Sequence, residues 1–186
     1  DAATAASERR MVERQITRII TPGTVIEDGM LNATRNNFLA AIVIVKNNWG
    51  LAYTDISTGE FYTTAAQHLE QLAQELLRLQ PSEILMPTNA PNPGSLIRPG
   101  EASEELPKEL PTQFCYSLRP QQPFSSAESK QRLLQRFHLR SLEGLGCDRL
   151  PLAVRAAGGL LEYLENTFEQ DFTERRSGAN QESRKI

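Results

Sequence analysis

The chain has 186 residues, of which 39% are hydrophobic and 23% are charged, and its formal net charge is −3. This length allows one domain with its own core. The negative net charge argues against a surface whose main task is to neutralise nucleic-acid phosphates, because such domains are usually basic.

The longest apolar run, from Phe38 to Val45, is too short to cross a membrane, and the start of the chain lacks the pattern of a signal peptide. Cys115 and Cys147 lack the paired spacing of a zinc site, which favours unreactive thiols in a cytosolic protein.

The first segment is polar and charged. Residues 1–7 are small and polar, which predicts a disordered start. From Glu8 to Ile20 the apolar residues recur at roughly helical spacing, which predicts a short helix. The run Thr21-Pro22-Gly23-Thr24 then ends it, because proline removes a backbone donor and glycine permits a turn.

Three strands are predicted next. Phe38–Val45 is apolar and rich in β-branched residues, as in a strand buried on both faces. Lys46-Asn47-Asn48 favours a tight hairpin, since asparagine tolerates a left-handed backbone. The alternating segment Trp49–Ile56 and the run Phe61–Ala65 predict two further strands, so the three should form an antiparallel meander.

The apolar period then changes to that of a helix between Leu69 and Gln80, which Pro81 ends. Glu83–Met86 predicts a short strand. A strand, a helix and a strand in this order favour a crossover into parallel pairing. Residues 89–111 are rich in Pro, Gly, Ser and Glu and have no period, which predicts a long exposed loop.

Another strand is predicted at Gln113–Ser117, and a helix follows it. Ser125 and Glu128 fit a capping box, which begins a helix that runs through Phe137. Its predicted buried face consists of Leu133, Leu134 and Phe137. Its solvent face is expected to carry Lys130, Gln131, Arg132 and Gln135.

The last helix begins near Pro151, a residue that the first helical turn tolerates. One face of this helix has small residues, which indicates that another element packs closely on it. They are Ala156, Ala157, Gly158 and Gly159. The polar stretch from Phe168 onward predicts a frayed tail.

This order of elements predicts an α/β layered domain with a mixed sheet, in which parallel strands extend an antiparallel meander and helices flank the whole. It is the element order of the ribonuclease-H-like fold, although a fold alone does not determine an activity. Nucleases of this fold need carboxylates that converge on divalent metal ions, starting with an acid in the first strand. Phe38–Val45 contains no acid, so we expect no metal site and no enzymatic activity. A divergent metal-dependent nuclease is the alternative.

Other chemistry has little support in the sequence. The phosphate-binding patterns GxxxxGK[ST] and GxGxxG are absent. Only His68 and His138 are available as a base for a serine or cysteine nucleophile, and a position near a helix C-terminus explains His138 through the helix dipole.

Two basic groups suggest binding to an acidic partner. Arg9, Arg10, Arg14 and Arg18 are candidate contacts to a DNA backbone, which makes a weak nucleic-acid binder a third hypothesis. A second group can attract an acidic partner, although a solvated helix face is the more common explanation. It consists of Arg132, Arg136, Arg140 and Arg149.

Five stretches carry a resemblance to a known family. They are RQITRIITPGT at 14–24, NNFLAAI at 36–42, GLAYTDISTGEF at 50–61, LQPSEIL at 79–85, and LEGLG at 142–146 followed by AAGGLLEYL at 156–164. In this order and spacing they resemble the bacterial MutS family of DNA mismatch-repair proteins. The resemblance implies a fragment of such a protein. It implies the end of the mismatch-binding domain and a linker at 1–25, a ribonuclease-H-like connector domain at 26–167, and a disordered or non-family tail at 168–186.

The resemblance also implies a function in DNA repair. The connector couples the binding of mismatched DNA to an ATPase, both mainly outside this chain, and docks MutL. The implied docking residues are Lys130, Gln131, Arg132 and Gln135. This chain is expected to hold no cofactor, whereas full-length members use ATP and Mg, form homodimers and bind mismatched double-stranded DNA. The family implies a cytoplasmic, nucleoid-associated location in bacteria.

Overall fold

A computed structural model of the chain describes residues 17–20, 37–89 and 94–182, with side chains placed for 37–89 and 94–167. The strands are β1 Thr17–Ile20, β2 Phe38–Val45, β3 Asn48–Asp55, β4 Glu60–Gln67, β5 Glu83–Thr88, β6 Leu96–Ile97 and β7 Tyr116–Pro120. The α-helices are α1 Leu69–Leu79, α2 Ser126–Arg136 and α3 Pro151–Glu182. Short 3-10 helices lie at Gln122–Phe124 and Leu142–Leu145.

The described strands form one mixed sheet in the order β1-β4-β3-β2-β5-β7-β6. The pairs β1·β4, β4·β3, β3·β2 and β6·β7 are antiparallel. β5 is parallel to both β2 and β7. The predicted mixed sheet flanked by helices is therefore confirmed, as is the crossover through α1 into parallel pairing.

β2 lies at the centre of the sheet, and this position explains why its sequence is apolar throughout. Leu39, Ala41 and Val43 belong to a core shared with α2 and α3. The alternate residues Ala40 and Ile42 belong to the core beneath α1 on the other face. Because successive side chains of a strand point to opposite faces, a strand covered on both sides has no polar positions.

The backbone of α3 packs directly against the backbone of the sheet at Gly50. A Cβ atom built on Gly50 of β3 would overlap the backbone of Leu152 and Ala153 in the first turn of α3. Glycine inside a strand commonly marks such a close approach. This contact fixes the start of α3 against the central strands.

Two predictions of local structure are wrong. Thr17–Ile20 was predicted as the end of a helix, but it forms β1, which pairs with β4 from Thr17 opposite Thr63 to Ile20 opposite Glu60. Its threonine and isoleucines suit a strand, and pairing along β4 satisfies its backbone. Residues 8–16 lie outside the described part of the chain. Within the predicted loop 89–111, Leu96–Ile97 forms β6, which is too short to show a period.

The strands around Pro87 differ from prediction in their limits. β5 continues through Pro87 to Thr88, because β2 pairs with β5 only from Glu83 to Leu85. Pro87 has no backbone N–H to donate, and β2 does not pair with β5 at this position, so no hydrogen bond between these two strands is lost. β7 begins at Tyr116 and reaches Pro120, three residues beyond the predicted end.

The predicted frayed tail from Phe168 is also wrong over most of its length. α3 continues without interruption to Glu182. A polar composition alone predicts disorder here, but glutamate, glutamine and arginine are also good helix formers, so an established helix readily continues through them.

Candidate partner-binding surface on α2

α2 begins as the sequence predicts. Ser125 has an extended backbone, and its Oγ accepts a hydrogen bond from the backbone N–H of Glu128 at 3.3 Å. This contact satisfies one of the N–H groups that the first turn leaves without a partner inside the helix. The N-terminus of α2 is therefore fixed in place.

The C-terminus of α2 is closed by a Schellman arrangement. The backbone N–H of Leu139 donates to the carbonyl of Leu134 at 2.9 Å, and that of His138 donates to Gln135 at 3.3 Å. His138 has a φ of 52°, a position where glycine is most favourable. The location of His138 at a helix end thus has a backbone explanation.

The inner side of α2 packs against α3. Leu133 is fully buried, and Leu134 and Phe137 pack at the margin of the same core. Ser129 is also fully buried, with its hydroxyl 3.0 Å from the carbonyl oxygen of Pro123 and 3.3 Å from that of Arg155. The predicted inner face is therefore confirmed, with a buried serine that the sequence analysis missed.

The small residues of α3 are the other side of this contact, as predicted. A Cβ atom on Gly158 would overlap Ser129, and one on Gly159 would overlap the ring of Phe124. The Nε of Arg155 also donates to the carbonyl of Phe124 at 2.7 Å. Glycines on α3 thus allow α2 and the segment before it to lie close to this helix.

Three of the four predicted docking residues on α2 are exposed, and two of them share one face of the helix. Lys130, Gln131 and Gln135 are all exposed. At about 100° per residue, Gln131 and Gln135 lie one turn apart on the same side of the helix. The structure thus brings them together on a polar surface, bounded at both ends by the cap at Ser125 and the turn at His138.

Arg132 has a different environment. Its Nη1 lies 2.6 Å from Oε2 of Glu165 on α3, and the two side chains are 27% and 34% exposed. Its Nε is buried, and within the described part of the chain it has no hydrogen-bond partner. The expectation of a solvent-facing Arg132 is wrong, because its side chain lies at the edge of the contact with α3, where it binds Glu165.

The other basic residues have separate positions. Arg136, Arg140 and Arg149 are exposed, so partly buried Arg132 does not share their environment. Arg18 lies on β1, with its Cα opposite that of Tyr62. The remaining candidate DNA contacts, Arg9, Arg10 and Arg14, lie outside the described residues.

A second polar contact joins α3 to the parallel half of the sheet, and sequence reasoning missed it. The hydroxyl of Tyr163 lies 3.3 Å and 3.4 Å from the two carboxylate oxygens of Glu83. The guanidinium of Arg119 lies 4.9 Å from the centre of the Tyr163 ring, a cation–π geometry. Burial, and then the charge of Glu83, raises the pKa of Tyr163. Glu83, expected to face solvent, is half-buried.

The cysteines and His68 have environments that suit structural roles. Burial is the main cause that raises the pKa of Cys115 and of Cys147, which lowers the thiolate fraction. The carbonyl of His68 accepts a hydrogen bond from the indole N–H of Trp49 at 3.0 Å, and its Nδ1 lies 3.0 Å from the side-chain nitrogen of Asn47. These contacts tie the start of α1 to the β2–β3 hairpin.

The described residues contain neither a metal-binding cluster nor a membrane-spanning helix. No group of three or more His, Cys, Asp or Glu side chains within 17–20, 37–89 and 94–182 is placed to hold a metal ion. In the same part of the chain, no helix combines the length and the apolar character needed to cross a membrane.

Comparison with known proteins identifies the family. The model of MutS domain II matches residues 37–176, beginning after the predicted boundary at residue 26 and extending past Phe168 into the stretch predicted as non-family. The DNA mismatch repair proteins MutS of Trichodesmium erythraeum and Nostoc punctiforme are 67% and 66% identical over 171 residues, 92% of this chain and 19% of each relative. MutS of Synechocystis sp. is 64% identical over 167 residues, 90% of this chain and 19% of the relative. The chain spans about a fifth of the length of these relatives. It belongs to the MutS family and contains the domain II of that family.

Proposed function

We propose that this chain acts in DNA mismatch repair as the connector module of a MutS-type protein, and that it docks MutL on the outer face of α2. The match of domain II over residues 37–176 supports the connector role. In this proposal the chain couples mismatched-DNA binding to an ATPase, both mainly outside it, and has no enzymatic activity of its own. ATP, Mg and the homodimer interface belong to the rest of the protein, and residues 1–25 to the end of the mismatch-binding domain. The proposed location is the bacterial cytoplasm, in association with the nucleoid.

The geometry of α2 is the observation that supports the docking face. Lys130, Gln131 and Gln135 are exposed on a helix whose two ends are both fixed by hydrogen bonds. A recognition surface on a rigid element loses little conformational entropy when a partner binds. Amide side chains also offer both donors and acceptors to such a partner.

Arg9, Arg10, Arg14 and Arg18 remain proposed contacts to the DNA backbone, through the segment that precedes the domain. If they neutralise phosphates, alanine substitutions at these four positions should weaken DNA binding uniformly across sequences and reduce its dependence on salt. A salt dependence that stays the same in the substituted protein would exclude this role.

The docking proposal is tested in a full-length chimera, in which residues 37–176 replace domain II of the Trichodesmium erythraeum MutS. Binding to MutL from a related bacterium is measured with mismatched DNA and ATP present. The double substitution Gln131→Ala and Gln135→Ala should weaken binding about tenfold or more, roughly 1.4 kcal/mol, if these amides contact the partner.

The matched control is Gln74→Ala, which removes an exposed glutamine from α1, another helix of 11 residues. This variant should bind MutL as well as the unchanged chimera does. Equal binding by the control and by the Gln131/Gln135 variant would place the docking surface elsewhere. Binding of MutL by the purified 186-residue chain alone would additionally show that the module suffices.

A further inference from the structure

We infer that Arg132 is a positioning residue and not a docking contact: its ion pair with Glu165 sets how the outer face of α2 is presented relative to α3. This role deepens the proposed docking function, and the expected effect of Arg132 on MutL binding rests on that function. It starts from the observation that a residue expected among the docking contacts has its charged group bound to a carboxylate of the neighbouring helix.

α2 has few apolar contacts to hold it. Ser129 and Leu133 are its buried residues, Leu134 is partly buried at the margin of the core, and most of its remaining side chains are polar. A helix with so narrow an apolar stripe can tilt or rotate at modest cost in buried apolar area. Specific polar contacts therefore contribute to its orientation.

Those contacts lie about one turn apart on its inner edge. The hydroxyl of Ser129 lies 3.0 Å from the carbonyl oxygen of Pro123 and 3.3 Å from that of Arg155, and Ser129 packs directly against Gly158. Three residues later, Arg132 reaches Glu165. Because Gly158 and Glu165 are about two turns apart on α3, the two contacts lie at separate points along the interface between the helices. Two separated contacts prevent rotation about either one.

The pair is better suited to set geometry than to add stability. Ion pairs that are about one-third exposed contribute little net free energy, since water and salt screen them. Among the described residues, none forms a hydrogen bond with the buried Nε of Arg132, and such a group costs free energy. A charge-assisted hydrogen bond is nevertheless directional and restricts the two side chains to one arrangement.

The test is a charge swap read by two measurements. Arg132→Glu, Glu165→Arg, the double swap and the conservative Arg132→Lys are each made in the 186-residue chain and in the chimera. The first measurement is amide hydrogen exchange over residues 126–136 of the chain, and the second is MutL binding by the chimera. Thermal melting identifies any variant that fails to fold.

Each single charge reversal should raise exchange in α2 and weaken MutL binding by about fivefold or more, because like charges then face each other. The double swap should return both readings to within about twofold of the unchanged protein, which is the rescue expected of a pair that interacts directly. Arg132→Lys should have an intermediate effect, since lysine keeps the charge without the planar fork.

Two outcomes would overturn the inference. One is unchanged exchange in α2 when either charge is reversed. The other is a double swap that binds MutL as poorly as Arg132→Glu while Glu165→Arg binds normally, as expected if Arg132 touched the partner. Failure of the docking function would look different: exchange in α2 would follow the swap, but Gln131→Ala with Gln135→Ala would leave MutL binding unchanged.

Discussion

α1 and α2 have the same length of 11 residues but are held by different forces. α1 buries four leucines against the sheet, and its N-cap residue His68 makes no side-chain cap. α2 buries one leucine and one serine, is capped by Ser125, and is joined to α3 by polar contacts. α1 is fixed by apolar area, whereas α2 is fixed by hydrogen bonds, a charge pair and close backbone approach.

The difference shows how a small domain can keep the outer face of a helix polar. A helix held by a wide apolar stripe has few positions left for a partner. α2 keeps a polar outer face because its inner contact is narrow and depends on glycine, serine and arginine. The consequence is that substitutions should have different effects on the two helices, as the following variants test.

The largest effect is expected for Leu76→Ala in α1. Leu76 is fully buried beneath the sheet, so truncation should leave a cavity and lower the free energy of unfolding by about 2–5 kcal/mol. Leu77→Ala is the matched control, because Leu77 is 43% exposed. Urea unfolding measures both variants, and a loss of similar size at the two positions would contradict the packing of α1.

A smaller but informative loss is expected for Gly158→Ala in α3. Alanine normally stabilises a helix more than glycine does, yet a Cβ atom at position 158 would overlap Ser129. We expect a net destabilisation of about 1–3 kcal/mol from overpacking. Gly144→Ala serves as the control, since its nearest neighbour would be a side-chain atom of Leu139 at 3.9 Å. A stabilised Gly158→Ala protein would show that α2 and α3 do not approach this closely.

Removal of the cap of α2 should cost less. Ser125→Ala loses the hydrogen bond to the N–H of Glu128, and the free energy of unfolding should fall by about 1 kcal/mol. Ser126→Ala, at the next and exposed position, should change it by less than about 0.5 kcal/mol. Chemical denaturation of the two variants decides whether the cap at 125 is real.

The smallest effect should be shared by both helices. His138 after α2 and Gln80 after α1 have left-handed backbones, with φ of 52° and 50°. Glycine has no steric cost there, although it gains entropy in the unfolded chain, so His138→Gly should stabilise by about 0.5–1 kcal/mol. Gln80→Gly should stabilise less, because it also loses the hydrogen bond from the Gln80 side chain to the carbonyl of Leu77. Thermal melting that showed destabilisation of His138→Gly would contradict the left-handed turn after α2.

The sequence was sufficient for elements with a strong local pattern. The apolar run of β2 and the N-cap at Ser125 each depend on neighbouring residues, and the structure confirms both, although the backbone N–H of Ser125 donates to the carbonyl of Gln122. β1 and β6 were missed because their strand character comes from pairing with β4 and β7, which are distant in sequence. The position of Arg132 was misjudged for a related reason, since its partner Glu165 lies on another helix.

The connectivity around β2 has a consequence for how the chain folds. β2 meets β3 across a turn of two residues, Lys46 and Asn47, and β4 follows after another short turn. Pairing of β2 with β5 places Leu39 opposite Glu83, and these two residues are separated in the chain by β3, β4 and α1. Because close contacts in sequence form faster than distant ones, we expect the β2–β4 meander to assemble first during refolding. β5, β7, α2 and α3 would then join a template that already exists.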